Sequence, residues 1–397
     1  MTRSPSLLVV IAFIFGMLPA AVGQAETPPL WKQGLVDGDR VLFLGNTFIE
    51  REQREGYIET ALTAGYPDRH LIFRNLGWSG DDVSGRSRGR FGGSAEGWKH
   101  LNRSLDLVKP TAAIVCYGSN AAFAGEAGLE SFQTGYNRLL DALERHTKKI
   151  MLLSPPPLED LGRPLPDPQS QNARLAKYRD AIKEIAYQRG YAFVDLYEVL
   201  GEKFSPGVQG SARLTGNGVH LTEYGYWEAA RAIEQELGLK TPAVDLAELR
   251  QAIEVPLTTA LPAPRGSVSY DGQVQDVAAD LIVRGGAKLS GRYVLTADEE
   301  KLGTVTAEKL QSGVGVNVPS MSAAAEKLRH EIVAKNELFF HRYRPQNETY
   351  LLLFRKHEQG NNAAELPLFD PLIDAKEAEI AKLRQPVKVQ VSLTADP

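Results

Sequence analysis

Cysteine is nearly absent from this sequence. Cys116 is its single example, so no intramolecular disulfide can form and a packed core must hold the fold together. Lying inside the apolar run AAIVCYG, Cys116 reads as a buried strand residue; a reactive thiol or an intermolecular bridge is the lesser reading. No CxxCH occurs, which excludes c-type haem attachment, and the seven histidines show no HExxH or similar metal-ligand spacing. The Gly-rich GVGVNV opens no helix and so makes no phosphate loop. Nothing here calls for a cofactor or a metal. A dominant charge is also lacking: 45 basic against 49 acidic residues give a net charge of -4, which argues against nucleic acid as a partner. Repeats and low-complexity tracts are missing, and 43% hydrophobic with 24% charged residues is ordinary globular composition, excluding a disordered or fibrous chain.

Long hydrophobic runs are missing everywhere except the first 25 residues. There Arg3 precedes an apolar stretch from Leu7 to Leu18, and Gly23-Gln24-Ala25 supplies small residues for cleavage. Residues 1–25 read as a secretory signal peptide, and the mature chain is expected to be exported, to a periplasm or the extracellular space. Its balance would then be 44 basic to 49 acidic residues. No later segment offers the ~20 apolar residues of a membrane span.

What is present is a recurrence of short apolar runs separated by helical periodicity. RVLFLG (40–45), HLIFRNLG (70–77), AAIVCYG (112–118), KIMLLSPP (149–156) and YAFVDLY (191–197) are nearly continuous apolar strands. Such strands alternating with helices require a parallel sheet covered on both faces. In SFQTGYNRLLDALERHTKK, Phe132, Tyr136, Leu139, Leu140 and Leu143 share one helical face. An α/β domain with five parallel strands is therefore expected over residues 31–242. From 255 to 319 the chain turns Gly-rich and alternating, in SVSYDG, DLIVRGG, GRYVLTAD and GVGVNVP, which predicts a small β subdomain. Residues 320–397 read as a helical C-terminal region, interrupted by a polar loop at 354–365.

Ligands of open α/β sheets bind beyond the C-terminal ends of the strands. Thr47 follows the first strand in GNT, Gly77 the second in NLGWSGD, Asn120 the third in YGSN, and His220 precedes a later helix in GNGVHLTEYGY. Read singly, Thr47 is an N-cap, Asn120 makes an Asx turn and His220 is structural. Their order suggests one shared site. In GRSRGRFGG, Arg86, Arg88 and Arg90 read first as a solvated loop and second as contacts for an anionic substrate such as an acidic or sulfated glycan.

In order and spacing these residues resemble the SGNH (GDSL-type) hydrolase superfamily over residues 40–237. The resemblance implies a flavodoxin-like three-layer sandwich, metal-free ester or acyl hydrolysis, and catalytic roles for Thr47, Gly77, Asn120 and His220. Two departures stand out. Gly45-Asn46-Thr47 replaces Gly-Asp-Ser, and Asn217-Gly218-Val219-His220 replaces Asp-x-x-His. Thr can act as a nucleophile beside a base, although its methyl crowds attack. Asn217 can orient His220 without neutralising it; Glu223, Asp81 and Glu50 are the candidate carboxylates to replace the missing one through the fold. The expected oxyanion donors are the Gly77 and Thr47 N–H groups and the Asn120 amide. The expected partner is a small-molecule or carbohydrate ester. The alternative is a non-catalytic module that binds a glycan or a partner protein in the same pocket.

Overall fold

The computed structural model describes residues 29–203, 213–264, 279–286 and 288–396. The signal-peptide segment 1–25 and the SVSYDG strand expected at 267–272 lie outside the described residues.

Five strands, β1 (Arg40–Gly45), β2 (Ile72–Asn75), β3 (Ala112–Cys116), β4 (Ile150–Leu153) and β5 (Ala192–Val194), form one parallel sheet in the order β2-β1-β3-β4-β5. That is the flavodoxin-like order, and its direction reverses at β1. Alternation along the strands sorts side chains between two cores. Val41, Phe43, Ile114 and Met151 face one core; Leu42, Leu44, Val115 and Leu152 face the other. On the first face pack α1 (Thr47–Glu55), α2 (Tyr57–Gly65), α6 (Leu196–Gly201) and α7 (Glu223–Glu236). The second is covered by α3 (Gly93–Val108), α4 (Leu129–Glu144) and α5 (Gln169–Arg189). Cys116 is wholly buried, as expected, and burial pushes its thiol pKa far up.

The expected runs at 112–118 and 191–197 overshoot the strands. The strands end at Cys116 and Val194, where the chain turns toward Asn120 or enters α6 behind the Asp195 cap, whose carboxylate accepts from Glu198 N–H at 3.2 Å.

The β-rich part contains two sheets. One joins β6 (Ala243–Leu246), β8 (Leu281–Gly285) and β11 (Val314–Val316); the other has the order β10-β9-β12-β7, from β7 (Arg250–Val255), β9 (Arg292–Ala297), β10 (Glu300–Thr306) and β12 (Val387–Asp396). Helix α8 (Ala307–Ser312) precedes β11. Strand β12 corrects the expectation that residues 320–397 are helical: it pairs antiparallel with β7 on one side and β9 on the other, burying Val389, Val391 and Leu393. The alternation in VKVQVSLT is the period-2 signal of such a strand.

Helix α9 (Pro319–Tyr343) joins the halves by packing along α1 and α2, with Leu328 and Ile332 in the core that β1 also enters. Within that contact Lys335 Nζ is 2.6 Å from Glu59 Oε1 and 3.2 Å from Phe73 O, while Asn336 Nδ2 donates to Glu59 Oε2 at 2.9 Å. The polar loop expected at 354–365 is instead wound into short turns. Single-turn helices α10 (Glu348–Leu351) and α11 (Lys356–Gln359) lead into 3-10 turns over 360–368 and then α12 (Phe369–Leu383), which lies along α9. Phe354 meets Phe91 edge-to-face, with centroids 5.4 Å apart, so this segment touches the α/β domain.

Candidate active site

The reversal of strand order leaves a crevice beyond β1 and β3, and a cavity of about 120 Å³ opens there. Asn46, Thr47, Arg51, Asn120, Gln171 and His220 line it, with the exposed Phe123 and Val219 at its rim. Three of the four expected site residues therefore meet. Asn46 caps α1, its Oδ1 accepting from Phe48 N–H at 3.3 Å, a contact worth about 1 kcal/mol in typical helices. Thr47 is thus the first residue of α1 and Asn46 its cap, not the reverse.

Gly77 does not join them. Its N–H is taken by Asn75 Oδ1 at 2.7 Å, and a Cβ at this position would stand 2.3 Å from Glu50 N. Gly77 is small because the start of α1 crosses it. The donor facing the site belongs to Gly80, three residues on, whose N–H points to Thr47 Oγ1 at 3.1 Å. Gly80 holds φ +70°, a left-handed conformation that disfavours any side chain. The two glycines should respond differently to alanine. Gly77→Ala, meeting backbone, should lower stability by about 1–3 kcal/mol. Gly80→Ala meets nothing nearer than Ser87 Oγ at 3.8 Å, and should cost only the ~1 kcal/mol of a left-handed alanine. Thermal denaturation of both variants checks this, and the opposite ranking would contradict the assignment.

The loop bearing Gly80 is braced from below and behind. Asp81 accepts from Arg88 Nε at 2.6 Å and from Tyr117 OH at 3.0 Å, all three side chains being buried. Asn120 Nδ2 donates to Asp81 O at 2.9 Å, which orients that amide beside the cavity. Behind the loop, Tyr343 OH donates to Gly77 O at 3.1 Å, and Arg344 pairs with Glu50 at 2.6 Å while its guanidinium lies 3.5 Å from the Trp78 ring centroid. The end of α9 thus buttresses the loop, a non-local role that no local pattern in HRYRPQNETY announces. Of the three arginines expected to meet solvent or an anion, Arg88 is buried against Asp81 and Arg90 is paired with Glu348.

His220 is held by the turn that precedes α7. Asn217 Oδ1 accepts from Val219 N–H at 3.2 Å and His220 N–H at 2.9 Å. Glu159 accepts from Thr215 N–H at 2.7 Å, pinning the turn to the segment after β4. With its oxygen committed to two backbone donors, the Asn217 amide turns its Nδ2 to His220 Nδ1, 3.0 Å away. An N–H donor at Nδ1 places the ring proton on Nε2. Burial first, and the positive charge of Arg51 second, hold the His220 pKa below the ordinary imidazole value, so the ring is neutral at neutral pH. None of the three candidate carboxylates pairs with it: Asp81 and Glu50 are engaged elsewhere, and Glu223 makes neither a hydrogen bond nor an ion pair to the imidazole. Among the described residues no hydrogen bond joins Thr47 to His220, and no cluster of three or more His, Cys, Asp or Glu could hold a metal.

Residues 45–228 match the family model described as GDSL-like lipase/acylhydrolase, the segment that carries Thr47, Asn120 and His220. The α/β domain belongs to the SGNH hydrolase superfamily. As an SGNH domain it is of an ester-hydrolase kind, and its sheet has the order that superfamily implies. Among solved structures, a gut microbial diltiazem-metabolizing enzyme superposes with a TM-score of 0.62 at 15% identity, covering 94% of this chain and 99% of that one. The shared fold therefore extends beyond the SGNH domain into the β-rich part. An acetylxylan esterase from Geobacillus stearothermophilus aligns with a TM-score of 0.39 at 19% identity, over 52% of this chain and 96% of its own. No curated protein sequence matches the chain.

Proposed function

We propose that the SGNH domain hydrolyses small acyl esters, with Thr47 as nucleophile and His220 as its base. The observation that most supports this is the meeting of Thr47, Asn120 and His220 on one cavity, with the Gly80 N–H against the Thr47 hydroxyl. Thr47 Oγ1 attacks the ester carbonyl while His220 Nε2 takes its proton. The oxygen of the tetrahedral intermediate is met by the N–H of Gly80, that of Thr47 at the first turn of α1, and the Asn120 amide. His220 returns the proton to the departing alcohol, and water then releases the acyl group by the same steps in reverse. A cavity of about 120 Å³ suits a short acyl group rather than a lipid chain. Export of the chain is part of this proposal, carried by Arg3 and the Leu7–Leu18 run.

Asn217 sets a limit on the rate. A base at Nε2 needs its proton on Nδ1, where Asn217 presents a donor. Turnover then proceeds only through the minor tautomer. The same bond favours a second reading, in which the cavity binds an ester or acyl group without turning it over.

A panel of short-chain esters, including acetylated sugars, separates the two. Loss of turnover in both Thr47→Ala and His220→Ala is the expected result. A wild-type protein inert across the panel, or variants as active as wild type, would overturn the catalytic proposal.

A further inference from the structure

The cavity has an electrostatic character that ester hydrolysis alone does not require. Three of its lining residues carry a buried side-chain atom that has no hydrogen-bond partner among the described residues: Asn46 Nδ2, Arg51 Nε and Gln171 Nε2. All three atoms are N–H donors. Orphaned donors in one small space are costly unless a ligand supplies acceptors. A fourth donor, His220 Nε2–H, follows from the amide bond to Nδ1 described above.

Charge points the same way. Among the described residues the lining contains Arg51 and no Asp or Glu. Arg51 forms no ion pair within 4 Å among the described residues; Glu55, one turn along α1, feels its charge without bonding to it. Both departures from the superfamily pattern act in this direction, because Asn46 and Asn217 each put an amide where that pattern has a carboxylate. Two negative charges are thereby withdrawn from the neighbourhood of one unpaired guanidinium. With Arg88 and Arg90 already engaged, Arg51 is the arginine that the cavity offers.

We propose that the substrate is an ester bearing a carboxylate near its carbonyl, and that Arg51 receives this carboxylate with Asn46 and Gln171 beside it. The inference rests on the hydrolase proposal for its reaction, while carboxylate binding stands independently of turnover. Arg51 lies one helical turn beyond Thr47, an axial rise of about 6 Å, so its side chain can serve a charge in either the acyl or the alcohol portion. A planar carboxylate accepting two parallel N–H bonds matches the guanidinium fork.

The test uses two matched pairs of esters: O-acetylmandelate against O-acetylmandelamide, and mono-4-nitrophenyl adipate against 4-nitrophenyl hexanoate. Wild type should favour the charged member of at least one pair by roughly 10- to 100-fold in kcat/KM, the range expected of a charge-assisted hydrogen bond. Arg51→Gln should collapse that ratio and Arg51→Lys should restore part of it, with thermal denaturation confirming that both variants fold. Calorimetric binding of mandelate and adipate to wild type and Arg51→Gln is measured in parallel. Equal turnover of charged and neutral esters, unaltered in ratio by Arg51→Gln, overturns the inference and leaves the hydrolase standing. Arg51-dependent carboxylate binding without turnover of any ester supports the inference and removes the hydrolase proposal. Neither binding nor turnover removes both.

Discussion

Replacing Asn217 with aspartate should raise ester turnover about 10²- to 10⁴-fold, approaching the scale lost when the carboxylate of a serine-protease triad becomes an amide. One aspartate oxygen can keep the bonds from Val219 and His220 N–H, now made at 3.2 and 2.9 Å by Asn217 Oδ1. The other then accepts from Nδ1–H, which frees the Nε2 lone pair to serve as base. The pH profile provides a second readout. In the wild type, burial and Arg51 hold the His220 pKa low, and an adjacent carboxylate raises it. Because the base must be unprotonated, the rising limb of the kcat/KM profile should move to higher pH in Asn217→Asp. A folded variant with unchanged rate and profile would mean that His220 is not the base.

The largest effect on stability should come from Lys335. Its ammonium group is fully buried against Glu59, which is itself 3% exposed. Lys335→Met leaves the Glu59 carboxylate without its counter-charge, and breaking such a buried pair costs about 3–5 kcal/mol. Urea denaturation measures this. The deficit should shrink as pH falls, since the unpaired carboxyl has a raised pKa in the folded variant and protonation removes its buried charge. Adding Glu59→Gln should recover most of the loss, because a glutamine carbonyl still accepts from Asn336. A single variant within about 1 kcal/mol of wild type would place the pair among weak surface contacts, against its burial.

The sheet was legible because each strand is a run of β-formers long enough to stand out locally, and because alternating burial on two faces requires apolar residues throughout. Thr47, Asn120 and His220 were legible as polar residues in strand-end or pre-helix turns. Gly80 was passed over in favour of Gly77. Both sit in NLGWSG, and what separates them is a positive φ at one and a crossing helix at the other, neither of which is written in composition. The proton position on His220 was hidden for a related reason: it depends on which end of the Asn217 amide the backbone claims. Strand β12 could have been found from its alternation, but it follows a long helical stretch that drew the whole segment into one class. The braces from Tyr343 and Arg344 join residues more than 250 positions apart, beyond the reach of any local pattern.

The central position of β12 has a consequence for how the molecule assembles. Its partners β7 and β9 are not neighbours of each other, and about 90 residues separate β9 from β12. On a ribosome, β7 and β9 therefore emerge with edges that only a much later segment can close, and such long-range pairing is intrinsically slow. The five-stranded sheet has all its strands by Val194 and can form well before that moment. Synthesis order thus allows the parallel sheet to pair before the last strand exists, and the interval between is when the unpaired edges of β7 and β9 are most open to association with other chains.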